Sequence, residues 1–272
     1  MYDYKGKRAL VTGASSGIGA SFAQALAQRG MNLVLVARSE DKMRKLADEL
    51  KLAHGVEVVV IGADLSQTGS AKTVYEATQR QNLPIDMLVN NAGFSTFGGF
   101  DTIPAAKEQE EIAVNVASLV DMTHAFLPAM LAKGDGAILN VASTGAFLSL
   151  PRQAVYGATK AFVLSFSEAL YEEYRKRGVR IFALCPGPVA TQFAEVAEVD
   201  FKTKAATPQQ VVEAGLKAFE RGRHYVIPGA MNYVQANLLP RLLPRNLLVR
   251  LVEVVSRQVI QPRASGQPNK AG

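Results

Sequence analysis

Short apolar runs recur along the chain, separated by longer amphipathic stretches. The runs are Arg8–Thr12 (RALVT), Asn32–Ala37 (NLVLVA), Glu57–Ile61 (EVVVI), Ile85–Asn90 (IDMLVN), Ala137–Ala142 (AILNVA), Arg180–Cys185 (RIFALC) and a weaker His224–Pro228 (HYVIP). None alternates cleanly between apolar and polar positions, as expected of strands buried on both faces. Segments of helical length lie between them, among them Ala20–Arg29, Asp41–Leu52 and Ala154–Arg177. The alternation predicts an α/β fold: a doubly wound parallel sheet of about seven strands, with helices on both faces and right-handed crossovers. Residues 1–229 read as that domain, and 230–272 as an amphipathic helical extension of it.

The first strand runs into TGASSGIG (Thr12–Gly19), and a helix follows at once. Gly13 suits a sharp turn, Gly17 lets backbone approach a pyrophosphate, and Gly19 allows close helix–sheet packing. Ser15, Ser16 and Ile18 complete the loop, and the opening helix offers free N–H groups and the positive end of its dipole to phosphates. Glycine alone marks any tight turn; strand, loop and helix in this order predict a Rossmann-type dinucleotide site. The second strand ends at Ala37-Arg38, where an NAD site normally carries an acid for the ribose 2′-hydroxyl. A guanidinium at Arg38 holds a 2′-phosphate that a carboxylate would repel, so the expected cofactor is NADP(H). Arg38 reads otherwise as a solvated residue before a helix capped by Ser39, with Glu40 and Asp41 complementing the helix N-terminus.

YGATK (Tyr156–Lys160) sets a phenol and an ammonium one helical turn apart, and Ser143 closes the AILNVA strand upstream. A phenol titrating near its ordinary pKa of about 10 exchanges protons poorly at neutral pH. A nearby cation lowers that value, and positions i and i+4 share a helix face. With Ser143 orienting an oxygen, the chemistry that fits is proton transfer at that oxygen coupled to hydride transfer at its carbon. On spacing alone the pair reads more readily as a solvated surface pair, and Ser143 as a turn cap. The place of Ser143 at the carboxyl end of a predicted parallel strand, where such sheets bind ligands, favours chemistry.

With these motifs in one order, the chain resembles the short-chain dehydrogenase/reductase family over about Lys5–Gly229. TGASSGIG matches that family's TGxxxGxG, Asp64-Leu65 in GADLS its adenine-side acid, and Asn90–Gly93 its NNAG. Asn115 in AVNVAS matches its helix asparagine, Ser143 its serine, Tyr156 and Lys160 its YxxxK, and PGPVAT (Pro186, Gly187 to Thr191) its PGxxxT. The resemblance implies an NADP(H)-dependent carbonyl reductase or alcohol dehydrogenase working as a dimer or tetramer. Ser143, Tyr156 and Lys160 would be catalytic, with Asn115 holding a water in a proton relay to Lys160. Lys160 would also bond the nicotinamide ribose, and Val189 and Thr191 would meet the carboxamide. Asp64 and Leu65 would flank the adenine, and Asn91, Ala92 and Gly93 the adenosine ribose. Two departures stand out: Ala142 where the family often has a second serine, and Ser16 where its more basic loops carry Lys or Arg. NADP selection then rests on Arg38, with Ser15 as helper. The rival readings are an NAD(H)-dependent secondary-alcohol dehydrogenase and a non-catalytic dinucleotide-binding sensor.

Phe94, Phe97, Phe147, Leu148 and Phe193 read equally as an apolar substrate pocket or as ordinary core. The segment from Phe193 to Thr207 resembles the family's lid. In the tail, Pro240 and Pro244 predict a broken start with the main helix after Pro244. Leu247, Leu248, Leu251, Val252, Val255 and Val259 make one apolar stripe there, with Arg245, Arg250 and Arg257 elsewhere. Such a basic helix fits an anionic membrane surface, but protein contact is favoured because one stripe is more often packing.

At 48% hydrophobic and 20% charged, the body of the chain does not read as disordered. The net charge of +6 is concentrated after Asp200, where eleven Lys/Arg face three glutamates, so the body is near neutral. With no nucleic-acid-binding motif, that charge does not point to DNA or RNA. His54, His124 and His224 lack metal-ligand spacing. The lone Cys185 reads as core and fits a reducing compartment. No signal peptide or apolar run of about 18 residues is read, so the expected location is cytoplasmic.

Overall fold

In the computed structural model, which describes residues 2–190, 199–201 and 205–262, seven strands form one all-parallel sheet. They are β1 (Arg8–Thr12), β2 (Asn32–Ala37), β3 (Val58–Gly62), β4 (Met87–Asn90), β5 (Gly136–Val141), β6 (Val179–Leu184) and, after a separate short strand β7 (Val199–Phe201), β8 (Tyr225–Val226). Their spatial order is β3-β2-β1-β4-β5-β6-β8, so the chain winds outward from β1 and then crosses to its other side at β4. The expected doubly wound parallel sheet is present.

Successive strand residues point to opposite faces, and both faces are apolar. Val11, Leu35, Val89 and Phe182 pack with Phe22 and Leu26 of α1 (Gly17–Gln28), Met43 of α2 (Glu40–His54) and Phe219 of α7 (Pro208–Glu220). Leu10, Val34, Leu88 and Ile138 pack on the opposite side with Val74 of α3 (Ser70–Arg80) and with Met122 and Phe126 of α5 (Ser118–Lys133). This double burial removes any period-two signal from the strands. Ser39 stands at the start of α2 but its side chain makes no capping bond; only the acidic first turn matches the expectation.

Helix α4 (Ala105–Ile112), a π turn (Ala113–Ala117) and α5 form one continuous helix of 29 residues. Its most apolar stretch has mean hydropathy 1.3, so by length and composition it does reach what a membrane crossing needs, contrary to the sequence expectation. Inside this fold the apolar character serves the core: Met122, Phe126 and Met130 are all within 3% of complete burial beneath the sheet.

Beyond Gly229 the chain is helical to Leu242, breaks at Leu243-Pro244 and continues as α8 (Arg245–Val259). The apolar stripe expected on α8 is split. Leu248 and Ser256 are buried and Val252 is half-buried, whereas Leu247, Leu251 and Val255 face outward. After α8, β9 (Ile260–Pro262) pairs antiparallel with β7. Within the expected lid, Val199–Phe201 is therefore a strand paired with the chain's own tail, and Ala206 bridges to Val189. Phe193 lies outside the described residues.

Candidate active site

Loops at the carboxyl ends of β1, β4, β5 and β6 converge where the strand order reverses, between β1 and β4. Open α/β sheets bind ligands at that point. Thr12 ties two of these loops together: its hydroxyl accepts from the N–H groups of Asn91 (2.9 Å) and Ala92 (3.0 Å) and donates to the Val89 carbonyl (3.3 Å). The Asn91 amide returns a bond to the Thr12 carbonyl at 2.9 Å. Gly13 has a φ of 63°, and a Cβ there would lie 2.9 Å from Ala92 Cα. At Gly19 a Cβ would run into the Gly13 carbonyl oxygen. Gly17 also has positive φ, 57°. Ser16, extended at the start of α1, gives no side-chain capping bond, so with Ser15 and Ile18 it leaves the first-turn N–H groups free for an anion. A cradle that side chains would fill, ahead of an uncapped helix, fits a dinucleotide pyrophosphate.

On the β2–β3 side, Arg38 is exposed and its guanidinium lies 3.6 Å from Glu110, a surface pair of small worth. Asp64 accepts from the Ser66 N–H (3.0 Å) and hydroxyl (2.8 Å). These bonds, the backbone one foremost, hold its carboxyl below the usual range. Leu65 beside it is buried. On the β6 side, the buried Pro186 accepts from the Thr144 N–H at 2.8 Å, joining the β5 and β6 loops. A Cβ at Gly187 would lie 2.6 Å from Asn232 of the C-terminal extension. Val189 bridges to Ala206, and Thr191 lies outside the described residues.

The β5 loop meets α6 (Ala154–Tyr174) to set the reactive groups. Ser143 hydrogen-bonds the Tyr156 side chain. Its oxygen also accepts from the Gly145 N–H at 3.0 Å, opening a short turn, so turn cap and site residue are the same atom. Lys160 is buried; its Nζ donates to the Val141 carbonyl at 2.9 Å and lies 5.8 Å from the centre of the Tyr156 ring. Asn115, buried in the π turn, exchanges two bonds with Phe94: Oδ1 accepts from its N–H (3.1 Å) and Nδ2 donates to its carbonyl (2.9 Å). Nδ2 also donates to the Thr159 hydroxyl at 3.1 Å. A Cβ on Gly93 would lie 2.8 Å from Asn115 Oδ1 and 3.4 Å from Lys160 Nζ, so the three sit against one another.

Burial pushes the Tyr156 phenol up to about 12, and the Glu111 charge adds to the rise, while the Ser143 bond opposes it. Burial pulls the Lys160 ammonium down to about 8, against Glu111, which favours its charged form. The expected lowering of the phenol by Lys160 is thus absent in the protein by itself. Desolvation dominates both groups, and the phenol keeps its proton. Cys185 is fully buried with its thiol pushed up by desolvation, as a core residue should be.

Phe147, half-buried, has its ring centre 5.9 Å from that of Tyr225 and packs against the core cluster of Leu119 and Val163. Sequence reading passed over Thr12, Thr159, Asn232 and Glu111. Thr12 and Thr159 stand inside motifs that were read for their neighbours. Asn232 meets Gly187 only through the fold. Glu111 follows Glu108 and Glu110, a cluster that ordinarily marks a solvated helix face.

A family model described as short chain dehydrogenase matches residues 7–200. The very-long-chain 3-oxoacyl-CoA reductase of Rattus norvegicus is 35% identical over 245 residues, 87% of this chain and 76% of that protein. A short-chain dehydrogenase from Sphingobium yanoikuyae in complex with NADPH superimposes with TM-score 0.79 at 30% identity, covering 97% of this chain and 99% of that one. A short-chain dehydrogenase/reductase from Burkholderia phymatum in complex with NAD gives TM-score 0.79 at 26% identity over the whole of both chains. With a dinucleotide cradle at the reversal of the sheet and a serine, tyrosine and lysine gathered beside it, the chain belongs to the short-chain dehydrogenase family of oxidoreductases.

Proposed function

We propose that this protein is an NADP(H)-dependent carbonyl reductase that converts a ketone on an apolar chain to a secondary alcohol. The observation that carries this reading is the joining of Ser143, Tyr156, buried Lys160 and buried Asn115 at the carboxyl ends of the strands. Gly13, Gly17 and Gly19 would seat the pyrophosphate, Arg38 a 2′-phosphate, and Lys160 the nicotinamide ribose. Bound there, the reduced nicotinamide supplies the hydride. The Ser143 hydroxyl holds the carbonyl oxygen of the substrate, and Tyr156 gives that oxygen its phenolic proton. A phenol lifted to about 12 is protonated at neutral pH and so stands ready as the acid in the reducing direction. The positive charge of Lys160 stabilises the phenolate left behind, and Asn115 fixes the wall of the site through Phe94 and Thr159.

The proposed substrate class is supported by relatives named as very-long-chain 3-oxoacyl-CoA reductases, and Phe94 and Phe97, both half-buried, suit an apolar chain. The test is consumption of NADPH by the purified protein over a panel of 3-oxoacyl thioesters of rising chain length and simple methyl ketones. Turnover that improves with chain length supports the reading. Tight NADPH binding with no turnover of any panel member would favour a dinucleotide sensor instead.

A further inference from the structure

Glu111 has no part in the chemistry described so far. It stands on the last turn of α4, one turn before Asn115, and is 0% exposed. Its Oε2 accepts from the Thr96 N–H (2.9 Å) and hydroxyl (2.8 Å), while its Oε1 is buried without a hydrogen-bond partner among the described residues. A buried carboxyl oxygen left so costs the fold free energy unless a charge of opposite sign offsets it. Lys160 presents the converse case. It is 5% exposed, with its ammonium bonded to the Val141 carbonyl and in no direct ion pair among the described residues.

These two buried charges of opposite sign share one neighbourhood. Asn115, one turn beyond Glu111, and Lys160 both close on the same face of Gly93. Each charge favours the ionised form of the other. The remaining groups that bear on them are few. Burial foremost, with Glu108, holds the Glu111 carboxyl above its ordinary range against the Thr96 donors and Lys160, and Tyr156 feels the Glu111 charge as a force retaining the phenolic proton. The other titratable group that bears on Lys160 is the buried Cys185 thiol, which burial keeps protonated and neutral.

We propose that Glu111 is the buried counter-charge of Lys160, a positioning residue that keeps the ammonium charged and sets the pH range in which the tyrosine–lysine unit works. The proposal rests on the role given to Tyr156 and Lys160 above. A structural role alone would not require a carboxylate, since a neutral amide accepts the two Thr96 bonds as well. The charge is the part that acts on Lys160.

The experiment is the pH profile of kcat for reduction of a ketone that the wild type turns over, with saturating NADPH, in wild type, Glu111→Gln and Tyr156→Phe. Glutamine keeps an acceptor for Thr96 and removes the charge. Loss of a nearby negative charge lets Lys160 and Tyr156 give up protons more easily, so the alkaline limb moves to lower pH, by about one unit. Should Glu111→Gln not fold, Glu111→Met carries the same test, because an apolar side chain of similar volume is often tolerated where an ion was buried. Should turnover be too slow to profile, NMR of the Lys160 side chain follows its titration directly, with the same downward shift expected. A limb, or a Lys160 titration, unmoved from wild type overturns the proposal and leaves Glu111 a strut for Thr96. Full turnover by Tyr156→Phe would instead remove the reading on which it rests; an inactive Tyr156→Phe with an unmoved Glu111→Gln limb removes the Glu111 inference alone.

Discussion

In the proposed function, Arg38 is the side chain that would choose between the two cofactors. It follows β2 where an acid would otherwise grip a ribose hydroxyl, and its contact with Glu110, at 3.6 Å and exposed, leaves it free to turn to a phosphate. Replacing Arg38 with aspartate removes charge-assisted bonds and adds repulsion. The ratio of NADPH to NADH dissociation constants, read by fluorescence titration, should move toward NADH by about ten- to a hundredfold. An unchanged ratio would support the NAD(H) reading. At this scale the sequence is legible where chemistry fixes spacing. Tyr156 and Lys160 share a helix face, and Ser143 stands two residues past the end of β5, at the carboxyl edge where parallel sheets bind ligands. Glu111 obeys the same spacing toward Asn115, but its burial is decided by how α4 sits in the fold, and no local pattern reports that.

The turn from β1 into α1 is the element most tightly determined by its residues. A methyl group at Gly19 would meet the Gly13 carbonyl and lie 2.6 Å from the Asn91 amide nitrogen. Gly19→Ala should therefore cost about 1–3 kcal/mol in urea unfolding and abolish NADPH binding; a variant that binds as the wild type does would contradict the packing role given to this glycine. Further along, Arg29 at the end of α1 forks onto Glu213 of α7 at 3.0 and 2.9 Å and lies 3.5 Å from Glu220. The Arg29 bonds hold the Glu213 carboxyl below its ordinary range. A carboxyl depressed in the folded state stabilises above its unfolded pKa and ceases to as the pH falls through the folded value. Both partners are part-exposed, so Arg29→Ala should cost only about 1 kcal/mol at neutral pH. That gap should close in acid, and a gap constant down the acid range would contradict the assignment. Strands β1 and β2 could be read from the chain residue for residue because burial on both faces writes uninterrupted apolar runs. The π turn at Asn115, the uncapped Ser39 and the β7–β9 pairing could not: each depends on contacts made far away in sequence.

Over the whole molecule, the seven-stranded order places the loops of β1, β4, β5 and β6 side by side, so motifs spread from Thr12 to Pro186 meet at one edge of the sheet. The C-terminal extension is fastened to the same body. Ala236 is buried in its core, Asn237 donates to the Tyr225 hydroxyl at 3.1 Å, and Arg152, close to Tyr156 in sequence, lies 3.6 Å from Glu253 of α8. The fold class and the convergence of the site were legible because parallel sheets obey few topologies. The seating of the tail was not, since its helix has apolar residues on more than one face. The central claim is that Tyr156 supplies the proton in hydride transfer from a bound nicotinamide, and the most direct measurement compares wild type with Tyr156→Phe in NADPH binding and in turnover of the same ketone. The account predicts unchanged binding and turnover reduced by about 10²–10⁴-fold, the range typical of a lost general acid. Equal turnover by the two proteins would contradict it.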